Sequence, residues 1–480
     1  MRNKKLPLRL ILETDSDEPL YRQIYKGLRA AILAGRLAPG LRLPSSRQLS
    51  EEFDCARGTI VAAIEQLIGE GYLEPLGGSG TFVTKAIPDA LLNAPSSVRP
   101  PKRPSAPPRV PKVVGAFALG QPALEAFPFP LWSKLLQAEW QNPRQVKGML
   151  LHPFGHEGLR IAIAEYLAAA RGFSCDPSEI VIMPNVRQSL VLFARMLLRT
   201  GEPIWMEEPG FMGIRAALSL SGMKPVPVPI DEQGFSITNG LKLAPKARLA
   251  VVSPANHFPL GQVMSLQRRL ELLQWAENHD GWIVDNDYDG EYRYVGRPLT
   301  PLRALDRTGR VAYVGSFSKI LFPALQLSYL VLPPSLTDPM MKLLSQNGSG
   351  TDASWLGQGA LARFLNEDHF AVHLRRTRRL YAERQAALLK AAEKHLDGLL
   401  EVPAFDGGMH LVGKSTKRRF NDQAIATAAA PLGMHITPLS RQYAPESAAK
   451  QGLLLGYAAM SPAKINEAVM RLRGVLREAE

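Results

Sequence analysis

The sequence predicts an α/β protein in which a small helical unit with a short β-hairpin precedes a larger unit built on a mostly parallel sheet. Three helical segments and two short strands lie before residue 85, and a proline-rich stretch follows them. After that stretch, apolar strands alternate with helical segments, which is typical of helices packed on both faces of a parallel sheet. We therefore predict domains at 15–85 and 113–480, joined by a linker at 86–112.

Composition limits the class of protein. The chain of 480 residues has 57 Lys and Arg against 44 Asp and Glu, and the formal net charge of +13 favours association with polyanions such as nucleic acid. Its two cysteines, Cys55 and Cys175, exclude a disulfide framework and a four-cysteine metal site, and they fit a reducing, cytoplasmic compartment. No run of about 18 apolar residues is present, so we expect no membrane span. We also expect no bound metal.

The first unit has the layout of a winged helix-turn-helix. Apolar residues recur at helical spacing between Pro19 and Ala34, and Gly35 ends that helix. A second helix is predicted to start at Pro44-Ser45-Ser46, where a serine can cap free N–H groups, and a third near Arg57. Two short strands around the glycine-rich turn 77–80 form the predicted wing.

The stretch 86–112 contains eight prolines and five basic residues. Proline fixes φ and lacks a backbone donor, so this stretch is expected to be a semi-extended linker. Its basic residues could contact DNA phosphates, or the stretch could be a soluble spacer.

The second unit is predicted to contain a parallel sheet. Its clearest strands are apolar runs separated by helical stretches. They are Glu179–Met183, Leu249–Ser253, Gly281–Val284, Val311–Gly315 and Leu327–Leu332.

The run LPSSRQLSEEF, followed by ARGTIVAAIEQLIGEGYLEPLGGSGTFV, resembles the winged helix of the GntR superfamily. The resemblance implies that DNA is contacted by residues of the second and third helices and the wing, namely Ser46, Arg47, Arg57, Thr59 and Gly80. The superfamily usually has serine and asparagine on either side of the helix-three arginine, where this chain has Ala56 and Gly58. One winged helix buries little surface, so a dimer that reads two half-sites is expected.

A second group of residues follows a predicted strand in the segment VGSFSKILFPALQLSYLVLPP. The amine of Lys319 is the kind of group that forms a Schiff base with a carbonyl cofactor. Ser316 and Ser318 beside it, with helix N–H groups, can bind a phosphate.

This segment, the loop SPANHFPLG, IVDNDYDGEYRY and HPFGHEGLRIAIAEYLAAARGF occur in an order that resembles the MocR (GabR-like) regulators. The resemblance implies a fold-type I aminotransferase domain with a smaller C-terminal α+β subdomain, and pyridoxal phosphate as cofactor. It implies a Schiff base at Lys319, a hydrogen bond from Tyr288 to the phenolic oxygen, and stacking of Phe211 on the ring. Phosphate would be held by Ser316, Ser318 and the backbone near Val186 and Arg187.

Several positions depart from the family pattern. Asn256 stands where the loop usually has histidine, and Asn286 stands where an acid pairs with the pyridine nitrogen. An amide cannot supply that charge, so the electron sink is expected to be weak unless Asp285 or Asp287 substitutes. Gln326 replaces an arginine that pairs with the phosphate, a charge that Arg187 could restore.

Three functions remain open from the sequence. In the first, the chain is a homodimeric transcription regulator that binds an operator in double-stranded DNA and uses pyridoxal phosphate, or an amino-group ligand, as effector. In the second, the large domain is a cofactor-free sensor or dimerisation scaffold. In the third, it is an active transaminase, which the missing acid and arginine disfavour. The effector would be an amino acid, an amine or a B6 vitamer.

Overall fold

A computed structural model of the protein describes Leu12 and residues 18–85, 115–141, 152–296, 299–346, 351, 353–415, 420–445 and 449–478. The chain divides near residue 110 into two compact units. The predicted linker at 86–112 lies outside the described residues.

The first unit has three helices and a hairpin, as predicted. They are α1 (Leu20–Leu33), α2 (Ser46–Glu52), α3 (Arg57–Gly69), β1 (Leu73–Leu76) and β2 (Gly80–Val83). Ser45 and Gln48 form a capping box at the start of α2, whereas Ala56 provides no side-chain cap to α3. Ile24, Leu28 and Leu67 lie in the buried core that joins the helices to the hairpin.

The second unit contains twelve strands and twelve α-helices among its described residues. The strands are β3 (Ile180–Met183), β4 (Pro203–Glu208), β5 (Lys224–Asp231), β6 (Gly234–Phe235), β7 (Leu249–Val252), β8 (Trp282–Asp287), β9 (Val311–Ser316), β10 (Ser328–Val331), β11 (Leu400–Glu401), β12 (His410–Ser415), β13 (Thr437–Pro438) and β14 (Leu453–Gly456). The helices are α4 (Phe129–Trp140), α5 (Glu157–Arg171), α6 (Val186–Leu197), α7 (Met212–Leu220), α8 (Ile237–Leu243), α9 (Leu266–Asn278), α10 (Leu302–Leu305), α11 (Thr337–Gln346), α12 (Gln358–Asn366), α13 (His369–Leu396), α14 (Asp422–Ala429) and α15 (Pro462–Glu478).

The large sheet has the order β3-β10-β9-β8-β7-β4-β5-β6. Strands β9, β8, β7, β4 and β5 are parallel, while β10 runs antiparallel to both of its neighbours. The five strands predicted from apolar runs are present, with ends that differ by one to three residues. Parallel strands end at one edge of the sheet, so residues that follow β4, β7, β8 and β9 lie close together there.

A smaller antiparallel sheet, β11-β12-β14-β13, follows the long helix α13, and it confirms the α+β subdomain expected at the C-terminal end. None of the described helices is long and apolar enough to cross a membrane. Within the described ranges, no group of three or more His, Cys, Asp and Glu side chains could hold a metal ion.

Candidate cofactor cavity and DNA-binding surface

A cavity of about 390 Å³ opens at the carboxyl edge of the large sheet. Most of the residues predicted to bind the cofactor line it together. They are Val186, Arg187, Phe211, Asn286, Tyr288, Ser316, Ser318 and Lys319. This volume is in the range of pockets that hold small organic ligands.

Lys319 follows β9 and its side chain is half-buried in the cavity wall. The Nζ atom lies 4.1 Å from the centroid of the Tyr288 ring, close enough for a cation–π contact. Burial lowers the pKa of Lys319, because a charged amine loses hydration in this environment, and the nearby Asp289 opposes that shift. A lowered pKa increases the neutral, nucleophilic form of the amine.

Aromatic side chains line the cavity beside Lys319. The Tyr288 hydroxyl is buried without a hydrogen-bond partner among the described residues. Phe258 meets Tyr288 and Phe211 edge-on, with centroid distances of 6.2 and 5.6 Å. The Phe211 side chain is 45% exposed, so its ring is available to stack on a ligand. The free hydroxyl and the open ring face both leave contacts for a planar molecule.

Ser316 and the start of α6 lie at the same end of the sheet. Ser328 pairs with Met183 on one side and with Ser316 on the other, which brings the ends of β3 and β9 together. Asn185 caps α6, and its side chain accepts from the Gln188 N–H at 3.0 Å. The free N–H groups of this first turn favour an anion. Val186 and Arg187 of that turn both line the cavity.

The hydroxyl of Ser318 is engaged by the backbone. It donates to the Leu327 carbonyl at 3.3 Å and accepts from the Leu327 N–H at 3.1 Å. Its proton is therefore already used, which limits Ser318 as a phosphate donor although it lines the cavity.

Asp285, Asn286 and Asp287 are the last three residues of β8, and their side chains point to opposite faces of the sheet. Side chains alternate along a strand, so Asn286 faces the cavity while Asp285 and Asp287 point to the other face. Asp285 accepts from the Leu302 N–H at 2.7 Å, and Asp287 forms a buried ion pair with Arg171. The expectation that Asp285 contacts the cofactor is therefore corrected, and neither aspartate is available to replace Asn286.

Asn286 itself is held by one neighbour. Its Nδ2 donates to Ser253 Oγ at 3.3 Å, and its Oδ1 is buried without a partner among the described residues. This orientation leaves an acceptor atom free at the position where the pyridine nitrogen was expected.

Two other predicted positions lie outside the cavity lining. Gln326 is exposed and adopts a left-handed backbone conformation, with φ of 46°, at the end of a short 3-10 turn. Asn256 stands behind the wall and donates to Asp289 Oδ1 at 2.8 Å. The expectation that Gln326 contacts the cofactor is therefore corrected, because this residue is at the surface. Asn256 is corrected to a position behind the lining, where it holds the cavity residue Asp289.

Two acidic residues that the sequence reasoning missed also line the cavity. Glu207 is the penultimate residue of β4 and accepts from the Ser253 N–H at 3.0 Å; burial raises its pKa to about 8. Asp289 follows β8, and burial raises its pKa to about 7. Both residues lie at the carboxyl ends of parallel strands, and this position could have identified them from the sequence as cavity residues.

In the first unit, residues predicted to contact DNA lie together at the junction of α2 and α3. Arg57 Nε donates to Ser46 Oγ at 3.2 Å, and both Arg47 and Arg57 are exposed. Thr59 is half-buried one turn into α3. The hydroxyl of Ser46 therefore orients the Arg57 guanidinium at the start of the predicted recognition helix.

Gly80 is in the wing turn, with φ of 113°. A Cβ atom there would come within 2.9 Å of the Arg42 guanidinium, so the glycine leaves room for that side chain. Arg42 is exposed and adds a cation to the wing that the sequence did not indicate.

Arg57→Ala should weaken operator binding by about 1–3 kcal/mol, a loss of roughly 5- to 150-fold, because a base contact is removed. Fluorescence anisotropy with an operator duplex selected from a random-sequence pool measures the change. Arg36→Ala, an exposed arginine outside α2, α3 and the hairpin, should bind normally. Equal affinity of wild type and Arg57→Ala would contradict the assigned role.

Comparison with known proteins gives the same two parts. Residues 20–83 match the bacterial regulatory proteins of the gntR family, and residues 131–472 match aminotransferase class I and II. The second match covers more than half of the chain.

Relatives cover both units together. The chain is 40% identical to the probable rhizopine catabolism regulatory protein MocR of Rhizobium meliloti, over 98% of this chain and 96% of that protein. It is 30% identical to the pyridoxine biosynthesis transcriptional regulator PdxR of Corynebacterium glutamicum, over 91% of each. LysN of Thermus thermophilus, an α-aminoadipate aminotransferase solved with N-(5'-phosphopyridoxyl)-L-leucine, aligns with a TM-score of 0.68 and 25% identity, over 76% of this chain and 92% of that one.

Proposed function

The chain belongs to the MocR-type regulators of the GntR superfamily, and we propose that its aminotransferase-like unit binds pyridoxal phosphate at Lys319 to control operator binding by the winged helix. The observation that carries the proposal is the half-buried amine of Lys319, 4.1 Å from the centroid of the Tyr288 ring, inside a cavity with an anion-binding end. Operator DNA and a second copy of the chain are the proposed partners, and the cytoplasm is the proposed location.

The donor set of the cavity fits the cofactor. Lys319 supplies the amine, and Ser316 with the first turn of α6 supplies neutral and charged donors for a phosphate. The orphaned Tyr288 hydroxyl would donate to the phenolic oxygen, and the exposed ring of Phe211 would cover one face. Each group is left with an unused contact that the cofactor would satisfy.

Bound pyridoxal phosphate supplies an aldehyde and an electron-withdrawing ring. In this chain, Asn286 presents a neutral acceptor to the ring nitrogen, so the protein does not hold a fixed negative charge there. An aminotransferase depends on that charge to keep the ring protonated. The residues thus support retention of the cofactor as a ligand more than turnover, and effector binding would shift the population of DNA-binding states.

A titration of the purified full chain with pyridoxal phosphate tests the proposal. The visible absorbance band of a lysine-linked cofactor should grow to saturation, and borohydride reduction should leave one covalently attached cofactor per chain by mass spectrometry. No band at saturating cofactor would reject cofactor binding and leave the cofactor-free sensor.

Asn286→Asp should bind pyridoxal phosphate more tightly by about 1 kcal/mol, roughly fivefold, because a charge-assisted hydrogen bond replaces a neutral one. The same absorbance titration gives the dissociation constant. Asn278→Asp adds the same charge at an exposed helix end and should leave the constant unchanged. Weaker binding by Asn286→Asp would contradict the assignment of residue 286 to the ring nitrogen.

A further inference from the structure

Two carboxyl groups in the cavity wall form no ion pair with a lysine or arginine among the described residues. Glu207 and Asp289 retain only 8% and 2% of their surface. Glu207 accepts one backbone N–H, from Ser253, and Asp289 accepts one amide, from Asn256, which leaves Asp289 Oδ2 buried and unpartnered among the described residues. A buried carboxylate without a counter-ion is unfavourable, so a cation bound at this part of the wall would be stabilised.

The nearest histidines do not supply the missing positive charge. His257 Nε2 lies 4.0 Å from Glu207 Oε2 but donates to the Pro209 carbonyl at 3.0 Å. His410, which also lines the cavity, donates to the Pro259 carbonyl at 2.9 Å. Burial lowers the pKa of each histidine to about 4, so both are neutral at physiological pH.

The basic side chains of the lining are confined to two places. Arg187 lies on the first turn of α6, at the anion-binding end, and Lys319 is the amine that the cofactor would occupy. Arg441 and Lys450, which precede β14 in the chain, are exposed and lie outside the described lining. Strand β14 reads LLLG and contributes no cation.

A ligand with a carboxylate would therefore meet Glu207 and Asp289, because Arg187, the one guanidinium among the described lining residues, lies at the anion-binding end. Burial raises the pKa of Glu207 to about 8 and that of Asp289 to about 7, so both carboxyls are partly protonated near neutral pH. A ligand with an ammonium group would favour the ionised form of either carboxyl through Coulomb attraction. The apolar rest of the wall, including Phe258 and Met409, suits a short carbon skeleton.

We propose that the small-molecule effector is an amine without a carboxylate, whose cationic group is bound by Asp289 and Glu207. This inference rests on the proposed function, because it assigns the ligand class of the same cavity. It separates this chain from a regulator that senses amino acids, since the discriminating element is repulsion of the carboxylate as well as attraction of the amine.

Matched pairs of compounds test the charge selectivity. The full chain loaded with pyridoxal phosphate is titrated with ornithine against 1,4-diaminobutane, lysine against 1,5-diaminopentane, and serine against ethanolamine. Cofactor absorbance and the midpoint of thermal unfolding report binding. We expect the amine to bind at least about tenfold more tightly than its amino acid in each pair that responds. Equal or tighter binding of the amino acids, or no response to any amine at millimolar concentration, would overturn the inference.

Asp289→Asn and Glu207→Gln should each lose the preference for the amine. Without ligand, both variants should unfold at the same temperature as wild type or higher at mildly alkaline pH, because a buried unpaired carboxyl has been removed. Lower midpoints would show that the carboxyls are structural and would count against the inference. Glu232→Gln, an exposed acid of the same unit, should retain the preference. Wild type that takes up cofactor but selects amino acids refutes this inference alone, whereas absence of the cofactor band refutes the proposed function.

Discussion

Lys319→Ala should abolish the visible absorbance band that pyridoxal phosphate produces with the wild-type chain. The lysine amine is the one primary amine in the described cavity lining, and alanine cannot form the covalent bond to the aldehyde. Residual binding through the phosphate and ring contacts should remain measurable by calorimetry. The variant should therefore lose the covalent link to the cofactor completely but lose only part of its affinity for the cofactor.

The control for this experiment is a lysine on the same unit. Lys342 lies exposed on α11, and Lys342→Ala should leave the band unchanged. A band of full intensity in Lys319→Ala would place the cofactor on another amine and would remove Lys319 from the account.

Arg171→Ala should lower the free energy of unfolding of the second unit by about 3–5 kcal/mol, because it leaves a buried charge without its partner. The side chains of Arg171 and Asp287 are each 2% exposed, and they form an ion pair. Arg171 Nη1 also donates to the Gly290 carbonyl at 3.2 Å, so the pair anchors the turn that carries Tyr288 and Asp289. Urea denaturation followed by tryptophan fluorescence gives the change.

Two controls separate this pair from a surface contact. Arg310→Ala removes an ion pair to the exposed Asp280 and should cost less than about 1 kcal/mol. The double variant Arg171→Met/Asp287→Asn removes both charges and should recover part of the loss, since the uncompensated carboxylate is gone. A loss below about 1 kcal/mol for Arg171→Ala would show that the pair does not anchor the turn.

The winged helix and the main apolar strands of the large unit could be predicted because periodicity and capping are local signals. Ser45 and Gln48 form the predicted helix start, and apolar runs such as Val311–Gly315 become strands of the buried sheet. Tyr288, Phe211 and Lys319 were placed by resemblance, and the topology brings them to one edge.

The remaining features depended on side-chain direction, which sequence does not give. Asp285 is adjacent to Asn286, yet strand alternation sends its carboxylate to the Leu302 N–H on the other face. Gln326 is exposed, at a residue whose left-handed backbone the sequence did not indicate. Glu207 and Asp289 were overlooked because only their position at the carboxyl ends of β4 and β8 distinguishes them from surface acids.

We propose that cofactor binding at Lys319 controls DNA binding by the winged helix. Fluorescence anisotropy with a selected operator duplex, in the presence and absence of saturating pyridoxal phosphate, tests it most directly. We predict that the cofactor changes the dissociation constant of wild type by about 5- to 150-fold and that of Lys319→Ala much less. Identical operator affinity of the wild-type chain with and without bound cofactor would contradict the account.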